Sequence, residues 1–155
     1  MGDKIKIMRA KIVAGNWKMN NDKDESKELI KDLKKAIKKE ELKNTRVIVA
    51  PTFVNLSSSI KAARKSKIEV VAQNMHQSKN GAFTGEISAD MLKSIGIKTV
   101  ILGHSERRTY FNETDVSLAA KVDAIIANDL ETIYCFGELI EDRKTEYHYA
   151  VVRSQ

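Results

Sequence analysis

The residues best able to do chemistry in this 155-residue chain stand just after short apolar runs. Asn16 and Lys18 follow Ile12, Val13 and Ala14. An amide there can orient an oxygen, and an ammonium can stabilise an anion or a developing enolate. The same two residues are equally consistent with a turn-closing amide and a lysine reaching into water. His104 follows Val100, Ile101 and Leu102 and precedes Ser105, Glu106, Arg107 and Arg108, a candidate helix start. The N–H groups and positive end of such a helix would depress an imidazole's proton affinity. The bland alternative is a structural or surface histidine. Ser105 could simply cap that helix, and Glu106 reads as one half of an ion pair. Such a pair positions a cation more than it stabilises a fold, because desolvation offsets much of the attraction. Arg107 and Arg108 establish no phosphate clamp by themselves. Cys135 closes another apolar run, where the ordinary role is a buried small hydrophobe. His76 and His148 have no compact ligand spacing with His104, so no metal is expected.

Holding such side chains requires strands and helices in alternation, and the hydrophobic periods supply them. Arg9–Asn16 reads as a strand. Asp22–Glu40 changes to helical periodicity, with Asp22 and Glu25 spaced as a reciprocal capping box. Thr45–Pro51 returns to strand character and Thr52–Lys65 to a helix, with the sole proline, Pro51, at the boundary. Lys67–Asn74 is a strand, Met75–Glu86 a polar loop punctuated by Gly81 and Gly85, Ser88–Ile95 a short helix and Lys98–Gly103 a strand. His104–Tyr110 makes a short helical turn, Asp115–Asn128 a longer helix, Glu131–Phe136 a fifth strand and Glu138–Gln155 a last helix. Strands joined by helical crossovers pair in parallel, so the class is α/β, built from repeated βα units. Such units fit an open flavodoxin-like sheet or the front portion of a closed barrel, which needs eight strands and about 250 residues. Neither a GxGxxG fingerprint nor a P-loop follows the first strand, which counts against the open sheet.

Composition removes several classes. Hydrophobic residues make up 42% of the chain and charged residues 31%, unlike a disordered or collagenous sequence. A single cysteine rules out an intramolecular disulfide framework. No apolar run approaches the roughly 20 residues of a membrane span. No signal-peptide core follows Met1, so a cytoplasmic protein without a membrane partner is expected. Lysine and arginine number 27 against 21 acidic residues, a formal charge of +6 that attracts phosphorylated metabolites and nucleic acid alike. The densest basic stretch, from Lys31 to Lys43, interleaves with Leu29, Leu33 and Ile37 as a solvated helix face does. No RRM-like or zinc-finger arrangement accompanies it, so no nucleic-acid partner is expected.

The run Ala14–Gly15–Asn16–Trp17–Lys18–Met19–Asn20 closely resembles the opening motif of the triosephosphate isomerase family. The resemblance continues in the family's order through Ala50–Pro51–Thr52, Ala72–Gln73–Asn74 and Gly81–Ala82–Phe83–Thr84–Gly85–Glu86. It ends with Leu102–Gly103–His104–Ser105–Glu106–Arg107–Arg108 and Cys135–Phe136–Gly137–Glu138, so that residues 9–155 are covered. It implies a partial TIM (β/α)8 barrel of approximately five parallel βα units, with residues 1–8 as an N-terminal extension of unassigned origin. It implies a cofactor-free isomerase of glycolysis and gluconeogenesis that interconverts dihydroxyacetone phosphate and D-glyceraldehyde 3-phosphate, normally as a cytoplasmic homodimer. By the same resemblance His104 is the electrophile and Lys18 the electrostatic catalytic group, while Asn16 and Lys18 bind substrate. Ser105, Glu106 and Cys135 support the site, with Lys18 the candidate partner of Glu106 and Cys135 no nucleophile. Thr84 and Glu86 support the dimer, the family's threonine approaching the other subunit's active site.

The resemblance also places the family's catalytic glutamate, its lid and its later phosphate loops beyond Gln155. Glu106 and Glu138 are not promoted to that base. A polypeptide of these 155 residues by itself is therefore expected to be impaired or inactive, since losing a general base typically removes on the order of 10²–10⁴ in rate. The alternative reading is a non-enzymatic α/β assembly or phosphate-binding module.

Overall fold

A computed structural model describes residues 9–155; the expected extension at 1–8 lies outside the described residues. Two compact units make up the chain, one ending at Val70 and the other running from Val71 to Gln155.

The first unit contains β1 (Lys11–Asn16), α1 (Lys23–Lys38), β2 (Thr45–Ala50), α2 (Leu56–Ala63) and β3 (Ile68–Val70). Its sheet runs in the order β1-β2-β3 and is parallel throughout, Asn16 standing opposite Ala50 and Val49 opposite Val70. Ile48, Val49 and Ala50 are buried, as the uninterrupted apolar run of a central parallel strand requires. The capping box of α1 forms as spaced: Asp22 Oδ1 accepts the N–H groups of Asp24 and Glu25 at 2.8 and 2.9 Å, and Glu25 Oε2 accepts that of Asp22 at 2.8 Å. At the far end of α2, Lys34 Nζ donates to the carbonyls of Ala62 and Arg64 at 2.9 and 2.8 Å, satisfying orphan acceptors at the negative pole of that helix. A 3₁₀ turn over Phe53–Asn55 replaces the first turn of the expected helix.

The second unit holds α3 (Ala89–Ser94), β4 (Thr99–Leu102), α4 (Ser105–Tyr110), α5 (Asp115–Ala127), β5 (Glu131–Tyr134), α6 (Ile140–Lys144) and α7 (His148–Ser154). Strands β4 and β5 pair in parallel with Leu102 opposite Tyr134, and Ala72 adds a parallel bridge to Val100. All of β4 is buried, with Leu92, Leu118 and Ile125 also in the core. One expected element divides. The helix read over Glu138–Gln155 is two helices, because Glu146 adopts a left-handed backbone at φ +59°. Tyr147 N–H donates to Asp142 O at 2.9 Å and Glu146 N–H to Arg143 O at 3.3 Å, the paired bonds of a Schellman stop.

Candidate active site

In the first unit, Trp17 N–H donates to Ala50 O at 3.1 Å, so the chain is still pinned to the end of β2 one residue past β1. It then turns sharply. Lys18 sits at φ +53°, where a side chain costs on the order of 1–2 kcal/mol. Its N–H donates to Asn16 Oδ1 at 3.0 Å, and Asn20 Nδ2 donates to Trp17 O at 2.8 Å. Asn16 thus closes the turn that presents Lys18.

In the second unit the chemistry gathers where β4 gives way to α4. His104 is the N-cap: its Nδ1 accepts the Glu106 N–H at 3.3 Å, and its carbonyl accepts the N–H groups of Arg107 and Arg108 at 2.8 and 3.2 Å. A ring nitrogen that accepts carries no proton, so this bonding assigns the proton to Nε2. Ser105 is the first helical residue, and the cap read as its alternative role falls to His104 instead. Glu106 Oε2 stands 3.5 Å from the same Nδ1; with an unprotonated nitrogen that approach contains no hydrogen to share.

Arg108 braces this turn. Nε donates to Gly103 O at 2.9 Å, Nη2 to Cys135 O at 3.2 Å and Tyr134 Oη at 3.4 Å, and Nη1 to Asp115 Oδ1 at 2.7 Å. Gly103, at φ +73°, lies so close to β5 that a Cβ there would stand 2.7 Å from Cys135 O. Cys135 is fixed by its own N–H donating to Leu102 O at 2.8 Å. Burial pushes its thiol up, with the Arg108 charge opposing, and a thiol kept protonated is a weak nucleophile. His104, Ser105 and Cys135 line one cavity of about 660 Å³ past the C-terminal ends of β4 and β5.

Behind α4 lies a buried ion cluster. Glu113 Oε1 accepts from Lys121 Nζ and, at 3.3 Å, from Arg107 Nε, while Lys121 also donates to Asn74 Oδ1 at 2.9 Å. Only 3% of the Glu113 side chain and 7% of that of Lys121 are exposed. Burial pushes the Glu113 carboxyl up, but hydrogen bonding and charge from Lys121 and Arg107 bring it below the ordinary carboxylate value.

The expected residues fall in three places. Asn16 and Lys18 share the turn after β1. His104, Ser105, Glu106 and Cys135 gather past β4 and β5. Thr84 and Glu86 belong to an exposed loop whose path needs the positive φ of Gly81 and Gly85, and neither lines the His104 cavity. Arg108, Glu113 and Lys121 were not singled out as site residues by sequence, and the trace Arg108 leaves is a glycine between a buried strand and a capping histidine. A wider groove of about 910 Å³ between α1 and α2 is walled by lysines. Three of them pair with Asp24, Glu28 and Asp32 one turn away, which makes it a solvated helix face. Among the described residues no three His, Cys, Asp or Glu side chains cluster as a metal ion would need, and no helix is long and apolar enough to cross a membrane.

A three-stranded and a two-stranded parallel sheet with helical crossovers, each carrying polar loops past the carboxyl ends of its strands, are built as parts of the (β/α)-barrel class of proteins are. The chain belongs to the triosephosphate isomerase family, whose model matches residues 11–155. It is 52% identical over 148 residues to the triosephosphate isomerase of Flavobacterium psychrophilum, covering 96% of this chain and 58% of that protein. Identity is 51% to the enzyme of Flavobacterium johnsoniae and 48% to that of Clostridium acetobutylicum, each over 148 residues with the same coverage. The chain therefore spans a little over half the length of the curated relatives it matches.

Proposed function

We propose that the protein carrying this chain is a cytoplasmic triosephosphate isomerase, interconverting dihydroxyacetone phosphate and D-glyceraldehyde 3-phosphate as a homodimer and without a cofactor. The observation that carries this reading is His104, bonded through Nδ1 at a helix start and left with an Nε2–H donor. Such a donor polarises a carbonyl and then bonds the enediolate oxygen, where negative charge develops. Triosephosphate isomerase is itself the standard example of a catalytic histidine kept neutral by a helix N-terminus.

In this mechanism a carboxylate base removes the carbon-bound proton and returns it to the neighbouring carbon. His104 serves the two oxygens between which the double bond moves, and the Lys18 ammonium stabilises the negative charge. Asn16 orients substrate and holds the Lys18 turn. Ser105, Glu106 and Cys135 support the site, Glu106 as the partner of Lys18, and Thr84 and Glu86 support the dimer.

The test is a coupled isomerase assay on mass-verified protein free of host enzyme. The 155-residue polypeptide alone is expected to show no appreciable turnover. Paired with a second polypeptide supplying the relatives' remaining length, it is expected to gain turnover that His104→Ala abolishes. Robust turnover by the chain alone would contradict the requirement for a separate base. A pair that assembles yet remains inactive, or whose activity ignores His104→Ala, would contradict the isomerase reading and favour the assembly or phosphate-binding module.

A further inference from the structure

We propose that Arg108 is the positioning residue for His104, the group that holds the imidazole as its Nε2–H tautomer and aims that donor. The inference rests on the isomerase reading for its catalytic consequence, but not for its structural content. A histidine's direction is set first by its own φ and ψ, and these are fixed by the peptides on either side. The peptide after His104 is held by the N–H groups of Arg107 and Arg108, both donating to His104 O. The peptide before it has Gly103 O as its acceptor, and that oxygen takes the Arg108 Nε–H at 2.9 Å. Backbone and side chain of Arg108 thus fasten both flanks of His104.

The guanidinium is itself anchored to elements outside its helix. Its Nη2 reaches the carbonyl of Cys135 at the end of β5, and its Nη1 the carboxylate of Asp115 at the start of α5. Only 18% of the side chain is exposed, so the fork works in a partly dry environment where charge-assisted bonds are stronger than in water. Its planar geometry serves these acceptors at once, which a lysine ammonium on a flexible stem cannot do. If the Gly103 peptide is released, His104 loses the φ that brings Nδ1 to the Glu106 N–H, and neither ring nitrogen is then committed to accept.

The experiment is ¹⁵N NMR of the imidazole in the 155-residue chain, with the His104 signals assigned by their loss in His104→Gln. Wild type is expected to show a single tautomer, Nδ1 bare and Nε2 protonated. Arg108→Ala is expected to average the two nitrogens, and added methylguanidinium to restore the single-tautomer pattern where methylammonium does not. Should the alanine variant fail to fold, Arg108→Lys is read the same way, with loss of the pattern expected there too. A folded Arg108→Ala, or otherwise Arg108→Lys, with the wild-type His104 pattern would overturn the proposal. In an active preparation, Arg108→Ala should lower kcat on the order of 10²-fold with KM little changed. A tautomer shift beside an assembled pair that stays inactive would sustain the role of Arg108 while sinking the isomerase reading, and a kcat loss in that pair with the tautomer intact would do the reverse.

Discussion

The turn after β1 and the turn after β4 each present a candidate catalytic side chain, yet only the second is braced by a buried arginine fork. The turn that presents Lys18 starts where Trp17 N–H is pinned to Ala50 O, and is closed by bonds between near neighbours: Lys18 N–H donates to Asn16 Oδ1, two residues away, and Asn20 Nδ2 to Trp17 O, three away. His104 is positioned by a side chain whose anchors lie 5, 7 and 27 residues away, backed by a charge cluster reaching 47 residues back to Asn74. A flexible cation needs a turn to present it, whereas a hydrogen-bond donor needs a direction. The second demand requires fixing backbone and ring against elements that do not share the turn.

If that contrast is sound, breaking the distant supports should cost far more than breaking the local ones. The largest loss is expected from Glu113→Ala, which leaves the Lys121 ammonium buried without its carboxylate; breaking one side of a buried pair costs about 3–5 kcal/mol, read by urea unfolding of the second unit. The same residue predicts a pH effect. Because its folded pKa is depressed, Glu113 contributes stability above the unfolded carboxylate value, lost as pH falls through the lowered folded one. Glu113→Gln should flatten that acid limb, and an unchanged slope between pH 5 and 2 would show that the carboxylate does not drive it.

Gly103→Ala comes next. The new methyl meets Cys135 O in a backbone that already disfavours side chains, so about 1–3 kcal/mol is expected, together with altered His104 ring signals. In the first unit Asp22→Ala should cost about 1 kcal/mol by removing the α1 cap. Asn16→Ala should be the mildest, about 0.5 kcal/mol for one exposed hydrogen bond, with the His104 spectrum untouched. Equal losses for Gly103→Ala and Asn16→Ala would erase the distinction.

The same difference decided what could be read beforehand. Asp22 and Glu25 are three residues apart, and their two bonds are where the spacing put them. The alternation of apolar runs likewise foretold the five parallel βα units. The Arg108 fork and the Glu113 cluster left no comparable trace, because their partners meet only once strands and helices are in place. The stop at Glu146 was hidden for another reason: a Schellman turn commonly carries glycine at its left-handed position, and here a glutamate occupies it. His104 was legible as a helix-start residue, but its use of Nδ1 as the cap was not, since serine next door is the commoner capping type.

The central claim is that this chain carries the histidine donor of a triose-phosphate site, and the most direct measurement is a titration of the assigned His104 Nε2–H resonance. Dihydroxyacetone phosphate should move that resonance saturably, and inorganic phosphate at the same concentration should leave it in place. An identical response to both ligands, or no response to either, would contradict the claim.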